Sequence, residues 1–288
     1  MTAEFTPAHP RTIVRTTRGV EATDGAGVNM RRIIHQPELE MLDPFLMLDW
    51  FHSDEPQDYL AGFPNHPHRG FETVTYLMHG RMRHWDNKGH EGVIEPGGIQ
   101  WMTAAGGIIH SEMPEQEDGL LSGFQLWVNL PAALKMKPAG YQEFDSAEVP
   151  VEEHDGVSLR VITGRTAGGT EGPVRDISTE PFFADIHLKA GAAHSEPVAE
   201  GHAAFLMVHE GTLEVAGSDG TATTLEAGDL AVLGDGDGVT LTAGPEGAKT
   251  LLVAARPLRE PVARGGPFVM NTREEIMQAF DDYRAGRL

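Results

Sequence analysis

Short runs in which apolar and polar residues alternate recur along the whole chain, and glycine or proline separates them. Residues 71–78 form one clear run of this kind. Alternation with a period of two is typical of a strand with one buried face. Further runs lie at residues 81–85, 99–103, 123–129, 158–162, 182–188, 204–208, 212–215, 229–233 and 250–254. So many short strands predict an all-β fold of antiparallel barrels or sandwiches.

A weak internal repeat indicates that the fold contains two related barrels. Residues 76–80 end a strand at a glycine and are followed by a strand and the glycine turn 94–98. Residues 205–211 and 225–229 repeat this order in the second half. Glycine permits the backbone dihedrals that such turns need. Two barrels in tandem would account for a chain of 288 residues.

The division between the two barrels is predicted near residue 145. Residues 131–151 contain three prolines and several acidic residues, and they show no clear period. This composition is typical of a linker. We therefore predict an N-terminal barrel over residues 1–145 and a C-terminal barrel over residues 146–288.

The end of the chain differs from the rest because it predicts a helix. Thr272 and Glu275 fit a capping box. Apolar side chains with helical spacing follow, and a glycine that suits the end of a helix comes after them. These residues are Ile276, Phe280, Tyr283 and Gly286. We expect one short amphipathic helix that closes the second barrel and packs against a barrel face.

Composition narrows the classes of function. The chain has 22 basic and 43 acidic residues and a formal net charge of −21, which argues against direct nucleic-acid binding and against an anionic membrane surface. It has no cysteine, which excludes disulfides, thiolate metal sites and cysteine nucleophiles. The first residues lack a signal-peptide pattern, and no stretch approaches about 20 apolar residues. We expect a cytoplasmic monomer.

Two short segments carry the candidate chemistry. His66 and His68 lie in one segment, and His110 and Glu112 lie in the other. Each pair is spaced i, i+2, which places both side chains on one face of a strand. Two strands that face each other across a barrel would bring three imidazoles and one carboxylate to one metal ion. This ligand set suits iron, manganese, nickel, copper or zinc.

The amino-acid sequence of these segments resembles that of the pirin family, whose members are bicupins. The resemblance runs along nearly the whole chain and is strongest in the string from Gly62 to Val74. The other matching segments are residues 42–46, 106–112 and 266–272. The resemblance implies two cupin barrels and a metal, usually iron. It also implies that His66, His68, His110 and Glu112 hold this metal.

Two departures from the general cupin pattern matter. A general cupin often takes its third ligand from the glutamate that follows the histidine pair, which here is Glu72. We keep Glu72 as a reserve ligand because it has the same parity as His68. The second barrel offers His194 and Glu196 but no matching partner set, so we predict that it is metal-free.

The resemblance implies a mononuclear dioxygenase, because pirins are reported to cleave quercetin with dioxygen. We predict Fe(II) as the metal, a flavonol or related phenolic as the substrate, and Glu112 as the catalytic proton acceptor. Other pirins are described as interacting with transcription machinery or metabolic enzymes. The alternative is therefore a metal- or redox-responsive regulator of a protein partner. A third alternative is an isomerase or hydrolase with the same metal site.

Several other residues have a structural interpretation that we favour over a functional one. The apolar segment 43–51 is predicted to be core rather than the wall of a substrate pocket, since such clusters usually pack together. His84 and His90 lie near the first barrel and could line a pocket, but a surface or turn position is the more common role of such histidines.

Overall fold

The computed structural model describes residues 5–218 and 220–288 and consists mainly of antiparallel strands. The first half contains β1 (Ile13–Thr17), β2 (Val20–Asp24), β3 (Val28–Ile34), β4 (Phe45–Ser53), β5 (Phe63–His68), β6 (Phe71–His79), β7 (Met82–Asp86), β8 (Glu91–Ile94), β9 (Ile99–Thr103), β10 (Ile108–Pro114), β11 (Leu121–Asn129) and β12 (Gly140–Phe144). The second half contains β13 (Val151–His154), β14 (Val157–Thr163), β15 (Phe182–Leu188), β16 (Ala193–Pro197), β17 (Ala203–Ala216), β18 (Ala222–Glu226), β19 (Leu230–Leu233), β20 (Gly238–Ala255), β21 (Ala263–Gly265), β22 (Phe268–Met270) and the helix α1 (Arg273–Arg284). Short 3-10 helices lie at Pro56–Asp58 and Ala132–Leu134. The predicted all-β fold with one C-terminal helix is confirmed.

The chain forms two compact units, and each consists of two separate segments. The first barrel unit contains residues 19–147 and 258–288. The second barrel unit contains residues 148–257 and the described residues up to Arg18. The junction after residue 147 lies close to the predicted boundary at 145. A single cut near residue 145 therefore misplaces both ends of the chain. The described residues up to Arg18 belong to the second barrel unit, and residues 258–288 belong to the first.

The first barrel unit is built from two sheets. One sheet has seven strands in the order β12-β9-β6-β11-β4-β3-β2, and the other has four strands in the order β5-β10-β7-β8. Apolar side chains from both sheets form a buried cluster that includes Met30, Phe51, Leu77, Met82 and Leu121. This cluster holds the two sheets together, because burial of apolar surface is the main favourable contribution to folding.

Helix α1 lies in the first barrel unit, together with the hairpin of β21 and β22. Thr272 accepts a hydrogen bond from the backbone N–H of Glu275, and the Glu275 carboxylate accepts one from the backbone of Thr272. The predicted capping box is confirmed. Ile276 is buried against Phe268, and the Phe280 ring contacts Phe268 edge to face. This apolar face fixes the helix to the first unit rather than to the second.

The second barrel unit has one nine-stranded sheet. Its main path is β1-β19-β17-β20-β15-β14-β13, with β16 paired to β20 and β18 paired to β17. The interior is aliphatic and includes Leu159, Ile186, Leu206, Leu241 and Leu252. Among residues 5–218 and 220–288, no helix has both the length and the apolar character needed to span a membrane.

Candidate metal centre

Strands β5 and β10 bring the predicted donor residues together as hydrogen-bonded neighbours in one sheet. His110 pairs with His66, and Ile108 pairs with His68. The sequence predicted that these two strands face each other across the barrel. This prediction is wrong, because they are neighbours in one sheet. A register shift follows His110, so that Glu112 pairs with Phe63. Such a bulge changes the direction of the side chain beyond it.

The three histidines form one compact group. Nitrogen atoms of His66, His68 and His110 lie within 4.8 Å of one another. The ring centroids of His66 lie 4.6 Å from those of His68 and 4.4 Å from those of His110. His66 places Nδ1 2.9 Å from the carbonyl oxygen of Pro64, which leaves Nε2 as the donor for a metal. A protein contact at one ring nitrogen commonly orients a metal-binding histidine.

Two histidines of this group, His68 and His110, suit a metal because they are buried and neutral. Burial lowers the pKa of both His68 and His110 well below the usual histidine value, and the neighbouring imidazoles lower it further. Neither ring nitrogen of His110 has a hydrogen-bond partner within the part of the chain that the structure describes. A buried polar atom without a partner is costly. A divalent metal would supply the missing contact at one of these nitrogens.

Glu112 lies beside the imidazole group. Its Oε2 atom is 4.0 Å from Nε2 of His110. Thr75 donates a hydrogen bond of 2.9 Å to Oε1, and the Gln125 amide donates one of 3.3 Å to Oε2. Two polar side chains from the seven-stranded sheet thus hold the carboxylate next to the histidines.

The reserve ligand, Glu72, is not brought into this group. Glu72 and Thr75 are three residues apart on β6, so their side chains point to opposite faces of the strand. The turn between β5 and β6 contains Gly70 with φ +93°, and this turn breaks the parity that the sequence suggested for His68 and Glu72. Glu72 instead accepts a hydrogen bond of 2.7 Å from Thr103.

A cavity of about 700 Å³ adjoins the imidazole group within the first barrel unit. His66, His68 and Glu112 line it, as do Thr75 and Gln125. Much of the remaining wall is apolar and consists of Met30, Met47, Phe51, Phe63, Met82 and Trp127. Its size and its apolar walls with a few polar groups are typical of small-molecule sites.

The segment 43–51 is therefore both core and cavity wall. Phe45, Leu46 and Leu48 are buried. Met47 and Phe51 are buried too, and they also line the cavity. The prediction of core is confirmed for these five side chains, but two of them form cavity wall as well.

A charged pair also faces this cavity. Arg32 donates hydrogen bonds from Nε and Nη2 to the two carboxylate oxygens of Asp49, at 2.9 and 2.7 Å. Hydrogen bonds to Asp49 raise the pKa of the Arg32 guanidinium. Burial raises the pKa of the Asp49 carboxyl, and the hydrogen bonds from Arg32 oppose this shift. The sequence did not single out Arg32, Thr75 or Gln125, and it placed Asp49 only within the segment 43–51 that was predicted to be core. Alternation along β3, β4, β6 and β11 was the available signal, but the faces of these strands could not be assigned without the pairing.

In the described part of the chain, two other groups each place two histidines around one carboxylate that could share a metal ion with them. Glu143 lies 2.6 Å from Nε2 of His84 and 2.9 Å from Nε2 of His90. Asp185 contacts His187 and His209 at 3.0 Å each in the second barrel unit. In both groups the carboxylate already pairs with each imidazole. These imidazoles therefore differ from His110, whose ring nitrogens have no hydrogen-bond partner among the described residues.

The donors noted in the second barrel also pair with each other. Nε2 of His194 lies 2.9 Å from Oε2 of the buried Glu196. That the second barrel is metal-free stays a prediction.

Comparison with known proteins agrees with this architecture. The pirin family model matches residues 27–128, and the model of the pirin C-terminal cupin domain matches residues 183–288. A pirin-like protein from Caulobacter vibrioides is 52% identical over 278 residues, which cover 96% of this chain and 99% of that protein.

Two further matches bear names that describe an activity. A Pseudomonas aeruginosa protein, provisionally named quercetin 2,3-dioxygenase, is 49% identical over 282 residues, which cover 96% of this chain and 98% of that protein. The crystal structure of a quercetin 2,3-dioxygenase from Acinetobacter baumannii aligns with a TM-score of 0.87 and 34% identity, and covers 96% of this chain and 98% of that one. The strand arrangement, the family models and the extent of these matches together show that the chain belongs to the pirin family of cupin proteins.

Proposed function

We propose that this protein is a mononuclear metal-dependent dioxygenase that cleaves a flavonol such as quercetin. The observation that carries the proposal is the group of three imidazoles beside Glu112 at the wall of a largely apolar cavity. The names of two relatives support the substrate class. The aromatic and methionine side chains of the wall suit a flat aromatic molecule.

His66, His68 and His110 are the residues that would hold the metal, with Glu112 as the fourth ligand. Their nitrogen and oxygen donors suit iron, and also manganese, nickel, copper or zinc. A metal bound there would lower the pKa of a substrate hydroxyl and would bring the substrate and dioxygen together. Because His68 and His110 are buried and their pKa values are lowered, they are neutral and do not need to lose a proton before they bind the metal.

Glu112 is placed to accept the proton that the substrate hydroxyl loses. The Thr75 hydroxyl lies 2.9 Å from Oε1 of Glu112 and 2.6 Å from Oε1 of Gln125. One hydroxyl hydrogen serves only one of these oxygens at a time. When Oε1 of Glu112 takes a proton, it can donate to the Thr75 oxygen while Thr75 donates to Gln125. Before the transfer, the one Thr75 hydrogen can occupy only one of these two contacts. After the transfer, both contacts contain a hydrogen, which favours the protonated carboxyl.

The test is oxygen uptake by iron-loaded protein in the presence of quercetin. We expect quercetin to be consumed only when oxygen is present, and we expect His110→Ala to abolish the reaction. His79→Ala is the matched control, because His79 is exposed at the far end of β6. Equal loss of quercetin with and without oxygen would contradict a dioxygenase.

A further inference from the structure

The Arg32–Asp49 ion pair lies in the cavity wall, next to methionine and phenylalanine side chains. On β4, Asp49 shares its face with Met47 and Phe51, since residues two apart point the same way. On β3, Arg32 follows Met30 on the face that lines the cavity. On these two strands the charged pair thus lies beside methionine and phenylalanine side chains. Asp24 also lines the cavity and accepts a further hydrogen bond of 2.9 Å from Nη2 of Arg32.

Burial makes this pair an unusual choice for stability alone. The side chains of Arg32 and Asp49 are only 20% and 4% exposed. Removing two charges from water offsets most of their mutual attraction, and apolar residues of similar volume often stabilise a fold at least as well. Binding sites, in contrast, use a few well-placed polar groups in an apolar wall to orient a ligand. The pair therefore suits recognition better than packing.

Strand register fixes the pair's position relative to the candidate metal centre. Asp49 lies directly opposite Gln125 on β11, and Gln125 donates a hydrogen bond to Glu112. Arg32 lies directly opposite Asp49 on the next strand. Neighbouring strands are about 4.8 Å apart. Gln125 is the side chain that contacts Glu112. Asp49 thus lies one strand spacing from Gln125, and Arg32 lies two strand spacings from it.

We propose that the Arg32–Asp49 pair determines substrate specificity by binding a hydroxyl group on a ring remote from the metal-binding oxygens. This inference rests on the proposed function and narrows its substrate class to aromatic compounds that are hydroxylated at both ends. Each oxygen of Asp49 accepts one hydrogen bond from Arg32. A carboxylate oxygen has a second lone pair, so it can also accept a hydroxyl hydrogen from a ligand.

The test compares two flavonols that differ only in this remote hydroxylation. Quercetin carries two hydroxyls on its B ring, and galangin carries none there. Equilibrium binding is measured with zinc-loaded protein under nitrogen, so that no turnover is required. The native protein is expected to bind quercetin more tightly than galangin. Asp49→Asn is expected to weaken quercetin binding about tenfold, as for the loss of one hydrogen bond to a charged group, and to leave galangin binding unchanged.

A second variant guards against misfolding caused by an unpaired charge. The double variant Arg32→Met/Asp49→Leu replaces both members of the pair with apolar residues of similar size. It is expected to remove the preference for quercetin while still binding galangin. The control is Glu21→Gln, which breaks the neighbouring exposed pair of Glu21 with Arg31, 2.7 Å apart. This control should keep the native preference.

The outcomes separate this inference from the proposed dioxygenase activity. Equal weakening of both flavonols in the variants, or a native protein that binds the two equally or binds neither, overturns the specificity role. A native protein that prefers quercetin but never consumes oxygen supports the specificity role and overturns the proposed activity.

Discussion

The hydroxyl of Thr75 donates a hydrogen bond of 2.9 Å to Oε1 of Glu112. Thr75 lies on β6 of the seven-stranded sheet, and Glu112 lies on β10 of the four-stranded sheet. The contact therefore links the two sheets of the first barrel unit at the candidate metal centre. It holds the Glu112 carboxylate in place next to the three histidines.

Replacing Thr75 with valine is expected to weaken metal binding. Partners that orient a metal ligand typically contribute 10- to 100-fold to metal affinity, so we expect a loss of about that size. Competition with a chelator for cobalt(II) measures the affinity, and the cobalt absorption spectrum reports the change in ligand geometry. Thr75→Ser keeps the hydroxyl and should restore both.

A matched control exists for this prediction. Thr103 donates a hydrogen bond of 2.7 Å to Glu72, which is the same pair of residue types outside the imidazole group. Thr103→Val should leave metal affinity unchanged. An equal loss of affinity in the two valine variants would show that Thr75 acts only through the fold.

Metal binding is expected to stabilise the protein against heat. A ligand that binds only the folded state raises the free energy of unfolding by about 4 kcal/mol at a thousandfold excess over its Kd. Calorimetry of metal-free protein, before and after addition of zinc, should show a rise in the unfolding temperature. A rise of the same size in His110→Ala would mean that zinc binds elsewhere.

The contact between Arg69 and Asp282 is expected to weaken in acid. Arg69 donates hydrogen bonds to the carbonyl oxygen of Gly106, at 2.7 Å, and to Asp282 on α1, at 2.8 Å. The Arg69 hydrogen bond holds the pKa of the Asp282 carboxyl well below its usual value. A lowered carboxyl pKa stabilises the fold above the unfolded value of about 4, and this gain is lost as pH falls through the lower folded value.

Thermal melts of Asp282→Asn should therefore differ most from those of the native protein near neutral pH. The difference in unfolding temperature should shrink as the pH falls below about 4. Asp281→Asn is the control, because Asp281 is exposed and pairs with Arg284 on the same helix. A difference that stays constant down to the lowest pH would show that Asp282 is not held as a carboxylate by Arg69.

Lys135 is a buried ammonium group in the first barrel unit. It donates hydrogen bonds to the carbonyl oxygens of Gly70 and Val269, at 2.6 and 3.0 Å, and to Oδ1 of Asn129 at 2.6 Å. Lys135→Met removes this donor from three buried acceptors and should lower the free energy of unfolding by about 3 kcal/mol. Urea titration measures this loss, with the partly exposed Lys137→Met as control.

The same residue gives a pH dependence of the same sign as that of Asp282, but in the alkaline range. Burial lowers the pKa of Lys135 to about 8. Between this value and the unfolded value of about 10.4, the folded state has lost the proton and the unfolded state has kept it. Stability of the native protein relative to Lys135→Met should therefore rise from pH 8 to pH 10. A gap that narrows over this range would contradict a lowered pKa.

Local patterns in the sequence were enough to predict the strands, the helix and the pairs of metal-binding donor residues. The period of two predicted strands such as β6, and the capping box predicted the start of α1. The spacing of His66 and His68 predicted a shared face. These features depend on residues within one turn or one strand, so the chain encodes them without reference to distant segments.

Tertiary structure alone decided how distant strands pair. Only the register places His110 beside His66 in one sheet, and the bulge after His110 sets the position of Glu112. The turn at Gly70 takes Glu72 out of the group. The row from Arg32 to Gln125 likewise exists only because β3, β4 and β11 are neighbours. An alternation with a period of two shows that a strand has two different faces. The choice of partner strand and of register depends on contacts between residues far apart in sequence.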